Sequence, residues 1–213
     1  MTMLEKLRKV ATGAAILAAL AGGVPSASAA DGSVEVMAGH KATTIDLKVS
    51  GEIAPKTGLF LRDIETIGYD GTVSHFGLAD LSYEIAGGVG AVAEIQVAPG
   101  MGVVPRIGAQ YFGKFGDLSA YVLGTIKTAE HPDGEFMASL RYAPEVAKDV
   151  KLPISIEALT SVGEEGHKFS TQKIRAGIEL GGKYEVGAGV DLLEVGKDGI
   201  LEYSAGGFAG IKF

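Results

Sequence analysis

Leu201-Glu202-Tyr203-Ser204-Ala205-Gly206-Gly207-Phe208-Ala209-Gly210-Ile211-Lys212-Phe213 is the stretch whose reading decides the fold. Leu201, Tyr203, Ala205, Gly207, Ala209, Ile211 and Phe213 occupy every second position, and all are apolar or small. Glu202, Ser204, Gly206, Phe208, Gly210 and Lys212 fall between them. A period of two with one greasy and one mostly polar or small face is a half-buried β-strand. The strand runs to Phe213 with no polar tail behind it, which is rare for the last core strand of a soluble domain.

The same period extends back through the chain. Segments of about ten residues alternate and are separated by turn residues, the spacing of a barrel or sandwich. Strands are predicted at about 33–37, 42–53, 57–67, 73–85, 89–97, 103–112, 118–127, 135–142, 151–160, 169–180, 184–193 and 200–213. Turns fall at Ala54-Pro55-Lys56, Tyr69-Asp70-Gly71, Gly87-Gly88, Pro99-Gly100, Phe115-Gly116-Asp117, Pro132-Asp133-Gly134, Gly181-Gly182 and Lys197-Asp198-Gly199. Ala98–Gly102 reads as a hairpin cap, with inward folding as the functional alternative. A helical turn is expected only at Pro144–Val150, apart from the N-terminal segment. In 57–67 the phase is ambiguous, because Arg62 competes with Asp63 and Glu65 for the polar face.

The terminal strand resembles the C-terminal targeting strand of Gram-negative outer-membrane β-barrel proteins, with its aromatic last residue and alternate apolar positions. The resemblance is to the class. It implies a small porin-like barrel in outer-membrane lipid, delivered through the barrel-assembly machinery that reads the strand ending in Phe213. Counting strands back from Phe213 then places Tyr83, Tyr111, Tyr142 and Tyr184 at the periplasmic rim. Tyr203 and Phe136 fall at the other rim, all on the apolar face. A bilayer sorts aromatic residues into girdles in this way and a soluble core does not. Both termini on the periplasmic side require an even strand number. Twelve is the expected count, or ten if Ser33–Met37 is only a tail.

Residues 1–29 read as a secretory signal peptide. Lys6, Arg8 and Lys9 precede an apolar stretch, and Ala27-Ser28-Ala29 is a cleavage signal, with cutting one residue later as the alternative. Residues 30–213 form one barrel domain of about 184 residues. The whole chain carries −7, and the signal holds three bases and one acid, so the barrel carries −9. That charge argues against nucleic acid as a partner. The chain contains no Cys, hence no disulfide, thiolate metal site or thiol nucleophile.

A membrane barrel turns its polar face inward. Arg106, Lys127, Arg141 and Arg175, with Glu94, Glu157, Glu179, Glu185 and Asp191, are the expected pore lining. Asp46, Glu52, Asp80, Glu84, Glu202, Lys48, Lys173 and Lys212 join them. Arg106, Lys127 and Arg141 would make one basic wall facing acidic ones, a transverse field resembling that of general diffusion porins. Gly108, Gly177, Gly187, Gly189, Gly206 and Gly210 would leave lumen volume for water. The expected function is passive diffusion of small hydrophilic solutes, with mild cation preference from the acidic excess. A closed structural or adhesive barrel is one alternative. A soluble periplasmic barrel that turns its apolar face inward around an apolar ligand is the other.

No catalytic, cofactor or metal arrangement is legible. Outer-membrane phospholipases, acyltransferases and proteases resemble this chain in size and use Ser/His or Asp/His sites near the outer rim. His40, His75, His131 and His167 all fall near that rim, but none has metal-ligand spacing to another. Ser74 and His75 are adjacent in a strand and face opposite sides. The Asp-Gly pairs are turns, with the wrong spacing for a calcium loop.

Overall fold

The computed structural model describes residues 30–98, 102–129, 131–196 and 199–213. The expected signal peptide at 1–29, the centre of the Ala98–Gly102 turn and Lys197-Asp198 lie outside the described residues. The chain forms β1 (Asp31–Gly39), β2 (Ala42–Ala54), β3 (Thr57–Gly68), β4 (Val73–Ala86), β5 (Val89–Ala98), β6 (Gly102–Phe115) and β7 (Leu118–Lys127). It continues with β8 (Gly134–Tyr142), β9 (Glu145–Ala147), β10 (Val150–Lys151), β11 (Ile154–Gly163), β12 (Gly166–Leu180), β13 (Tyr184–Val195) and β14 (Ile200–Lys212). Every neighbouring pair is antiparallel, and β1 pairs with β14 while β8 pairs with β11, so the twelve long strands close into a barrel. The segment Ser33–Met37 is therefore a true stave, not a tail.

Closure is sealed by Phe213. Its N–H donates to the Gly32 carbonyl at 2.9 Å, and the Gly32 N–H donates back at 2.8 Å. The Phe213 ring lies where a side chain on Gly32 would stand. Turn chemistry sets the hairpins. Gly87 and Gly88 have φ of +59° and +84°, the pair of left-handed residues a two-residue type I′ turn demands. The helical turn expected at Pro144–Val150 is absent. Glu145–Ala147 and Val150–Lys151 instead form a small antiparallel ladder on the end of β12, with Asp149 at φ +59° supplying the reversal. The short apolar spacing there fits a tight hairpin as well as a helical turn, and the left-handed Asp149 ends any helix.

The burial pattern is inside-out relative to a soluble core. Met37, Leu61, Val92, Leu123, Phe208 and Pro153 are the buried apolar side chains of more than alanine size among the described residues, whereas Asp46, Arg62, Asp80, Glu94, Arg106, Arg175 and Glu179 are among the buried polar ones. β5 shows the cause in miniature: Val89, Ala91, Ala93, Ile95 and Val97 are exposed while Gly90, Val92, Glu94 and Gln96 are buried. Leu81, Ile107, Ile126, Leu140, Ile154 and Ile178 continue the exposed apolar wall around the barrel. Tyr83, Tyr142, Tyr184 and Phe213 ring one end of it, and Phe136 and Tyr203 stand at the other. A soluble barrel with its apolar face inward is thereby excluded.

Candidate functional site

The lumen is the site, and its charged residues come from strand positions of one parity. Asp46 and Lys48 on β2 lie beside Arg62 on β3, because the register sets Lys48 opposite Arg62. The Arg62 guanidinium donates to both Asp46 oxygens, from Nε at 2.9 Å and from Nη2 at 2.6 Å. The same Nη2 lies 2.7 Å from Glu157 Oε1 on β11, which is on the opposite wall of the barrel. Lys48 reaches Glu157 at 3.4 Å, and Lys173 on β12 reaches Asp46 at 2.9 Å. Five side chains from four strands thus cross the lumen and form a waist. Arg62 and Asp46 are buried within it, while the Lys48 side chain is 37% exposed.

The waist divides the lumen. On the outer side lies a cavity of about 710 Å³ whose floor includes Arg62, Glu157 and Lys173. Its walls carry apolar side chains, Ile64, Phe76, Leu78, Leu123, Met137 and Leu159 among them. On the side of the chain termini a smaller cavity of about 190 Å³ is lined by Glu35, Lys48, Arg141, Arg175 and Glu185. The apolar outer walls were not expected from the sequence, which pointed only to charge and glycine.

The remaining charges pair locally. Arg106 on β6 is 2% exposed and is ringed by Asp133 at 2.6 Å, Glu135 at 3.3 Å and Glu94 at 3.5 Å. Asp133, in the β7–β8 loop, also receives the Lys168 ammonium at 2.8 Å. Burial pushes the Asp133 carboxyl up, but the hydrogen bonds from Lys168 and Arg106 outweigh it and hold the group below the usual carboxylate range. Asp80 stands opposite Glu94 across β4–β5, both buried, and Asp80 Oδ1 has no hydrogen-bond partner. Arg141 binds Glu179 and Glu185, each at 2.7 Å, and Lys212 joins Glu179. Arg175 bridges Glu35 at 2.8 Å and Asp191 at 2.7 Å, with its guanidinium 5.7 Å from the centre of the Phe208 ring.

Eight of the nine expected lining residues therefore sit in ion-paired clusters. Lys127, paired in register with Arg106 at the outer end of β7, is the ninth. The expected basic wall facing acidic walls is not what forms. Arg106 and Arg141 are each ringed by acids from neighbouring or facing strands, because carboxylates pair with the nearest guanidinium rather than leave a charge unpaired. Three of the six glycines do not leave open volume, whereas Gly210 borders the smaller cavity. The Phe208 ring covers Gly177 and Gly187, and the Arg175 side chain covers Gly189. Arg62, Glu35, Asp133 and Glu135 are lumen residues that sequence reading missed or left ambiguous. The signal for Arg62 was parity with Phe60 and Ile64, hidden by the acids beside it.

The four histidines all lie towards the outer end. His40 accepts the Ala205 N–H at 3.0 Å and rests on the Tyr203 ring. His131 is exposed beside Glu164, and both line an outer-mouth cavity of about 590 Å³ together with His167. His167 Nδ1 lies 3.0 Å from the Gly196 carbonyl and so must donate to it, which leaves Nε2 to accept from Ser170 Oγ at 2.9 Å. A bulge between Ser161 and Val162 in the β11–β12 ladder brings these two residues to one face. Ser170 sits inside the ladder between Thr160 and Glu194. His75 joins Asp63 and Glu65 on the outer wall.

No family model and no curated protein matches the sequence. Solved structures do match the fold. The KdgM porin, solved in complex with disordered oligogalacturonate, aligns over 86% of this chain and 98% of its own at 11% identity, with a TM-score of 0.51. The NanC porin aligns over 87% of this chain and 99% of its own at 8% identity, with a TM-score of 0.54. The chain has the fold of small outer-membrane porins.

Proposed function

We propose that this protein is a passive outer-membrane channel for small hydrophilic solutes, narrowed at mid-height by the Arg62–Glu157 bridge. The bridge itself carries the reading. It is built from side chains alone, with a cavity on either side, so a path opens by rotamer changes without moving the wall. The apolar, girdled exterior supports a bilayer location, with lipid as its partner. Fold likeness to porins supports transport, with no catalytic step, and one of those porins was solved with an acidic oligosaccharide.

Selectivity is decided where the path is narrowest. The lumen-wide acidic excess led to an expectation of mild cation preference. At the waist, however, Lys48, Arg62 and Lys173 outnumber Asp46 and Glu157. We therefore assign the waist a weak anion preference. The test is current across a planar bilayer holding the refolded protein under a salt gradient. Discrete steps with an anion-selective reversal potential support the reading. A cation-selective potential removes the waist as the selectivity element, and silence with insertion confirmed leaves a closed barrel.

A further inference from the structure

We propose that Asp63, Glu65 and His75 form a binding site for a divalent transition-metal ion of the zinc class on the outward wall of the barrel. Strand parity places them there. Arg62 and Ile64 line the lumen cavity, so Asp63 and Glu65, which alternate with them on β3, point the other way. The β3–β4 register sets Glu65 opposite His75 and Asp63 opposite Gly77. Gly77 has no side chain, and the His75 ring lies across it, with Cε1 3.6 Å from where a Cβ would be. The imidazole thereby reaches Asp63.

The donor geometry is that of ligands awaiting a common centre. His75 Nε2 lies 2.7 Å from Asp63 Oδ1, yet Asp63 Oδ1 has no partner in hydrogen-bond geometry. Asp63 is 7% exposed and Glu65 9%, so bulk water reaches little of either side chain. One donor atom from each of the three residues lies within 4.8 Å of the others. Ligands about 2.0–2.2 Å from a tetrahedral ion sit roughly 3.3 Å apart, so closing the set needs about 1.5 Å of movement. Rotation of the long Glu65 side chain supplies that.

The surroundings require a counter-charge. Asp63 is the seventh of the twelve residues of β3, well inside the wall, and Leu47 and Ile45 of β2 are the residues paired with Asp63 and Glu65. Two adjacent carboxylates on a lipid-facing wall repel each other and are costly to desolvate. One divalent ion cancels both. Two oxygens and one imidazole nitrogen suit zinc, whereas calcium and magnesium take more oxygen ligands than this site offers. Three protein ligands leave a fourth position for water or an outside group. Asp63 and Glu65 alternate with the lumen residues while His75 also borders the lumen cavity, and the site stands whether or not the lumen conducts.

The test is zinc titration into the full detergent-folded chain by calorimetry, with magnesium titrated in parallel. One saturable zinc per chain is expected, with no matching magnesium signal. H75A, D63N and E65Q should each weaken binding at least tenfold, while H131A should leave it unchanged. Circular dichroism of each variant confirms the barrel, and E65Q is the mildest change if another fails to fold. X-ray absorption on the zinc-loaded chain should show one imidazole among oxygen ligands. Absence of saturable zinc binding in the unaltered chain, or unchanged affinity in folded H75A and E65Q, overturns the proposal.

Discussion

Arg62 and Glu157 stand on opposite walls of the barrel, and their charged groups meet at 2.7 Å. Arg62 is held by Asp46 on its other side, so Glu157 is the member that can be removed without leaving the guanidinium alone. Glu157→Gln, which keeps the size of the side chain, should therefore loosen the bridge and leave three cations facing one carboxylate. Single-channel conductance should rise, and the reversal potential should move further towards anions. Breaking a buried pair costs about 3–5 kcal/mol, and the retained Asp46 contact should keep the loss nearer 1–3 kcal/mol. Unchanged conductance in a folded variant would place the narrowest point elsewhere.

Phe208 and the glycines beneath it give a second test. A Cβ on Gly187 would clash with the Ala176 carbonyl oxygen and stand 2.8 Å from the Phe208 ring. The backbone contact cannot be relieved by a rotamer change. Gly187→Ala should destabilise the barrel by about 1–3 kcal/mol in a urea titration. Gly207→Ala, where the nearest atom is 3.7 Å away, should stay within about 0.5 kcal/mol. Equal stability of the two variants would mean that the β12 backbone does not approach Gly187 this closely.

Strand positions and the closed count of twelve were legible because period-two alternation and turn residues are local signals. Gly87-Gly88 and Gly181-Gly182 announce hairpins by themselves. Register partners such as Arg62 and Glu157 were not legible, since they meet only after the sheet closes and nothing near either residue marks the other. β3 failed for a different reason. With Arg62 on one parity and Asp63 and Glu65 on the other, polarity carries no phase, and the structure assigns polar work to both faces. Inward apolar residues such as Phe76 and Leu78 were lost in the same way, because an apolar residue on the polar face looks like noise until the cavity is seen.

Acid should loosen the outer mouth late. The Asp133 carboxyl is held below its ordinary value by Lys168 and Arg106. A group depressed in the folded state contributes stability above its unfolded value, about 3.9, and loses that contribution as pH falls through the folded value. The β7–β8 loop should thus stay tied to Lys168 at pH 5 and release only below about pH 4. Thermal unfolding followed from pH 7 to pH 3 should show this loss, and Asp133→Asn should lack it. A loss already complete at pH 6 would remove Asp133 as its cause.

Ile107 tests which face of the wall meets lipid. It is 59% exposed, in the outer half of β6, and its register partners are Ala93 and Ile126. In a bilayer, a lysine near the midplane of that wall costs about 2–4 kcal/mol, falling towards zero at the interfaces. In water the same substitution on an exposed strand face would cost almost nothing. Ile107→Lys should therefore lower the stability of vesicle-inserted protein by about 1–3 kcal/mol in urea, given its distance from the midplane. The same change at Tyr69, in the outer β3–β4 turn and 60% exposed, should be neutral. If Ile107→Lys is as stable as Tyr69→Lys in vesicles, the apolar exterior is not a lipid-facing surface, and both the channel reading and the burial cost argued for Asp63 and Glu65 fail with it.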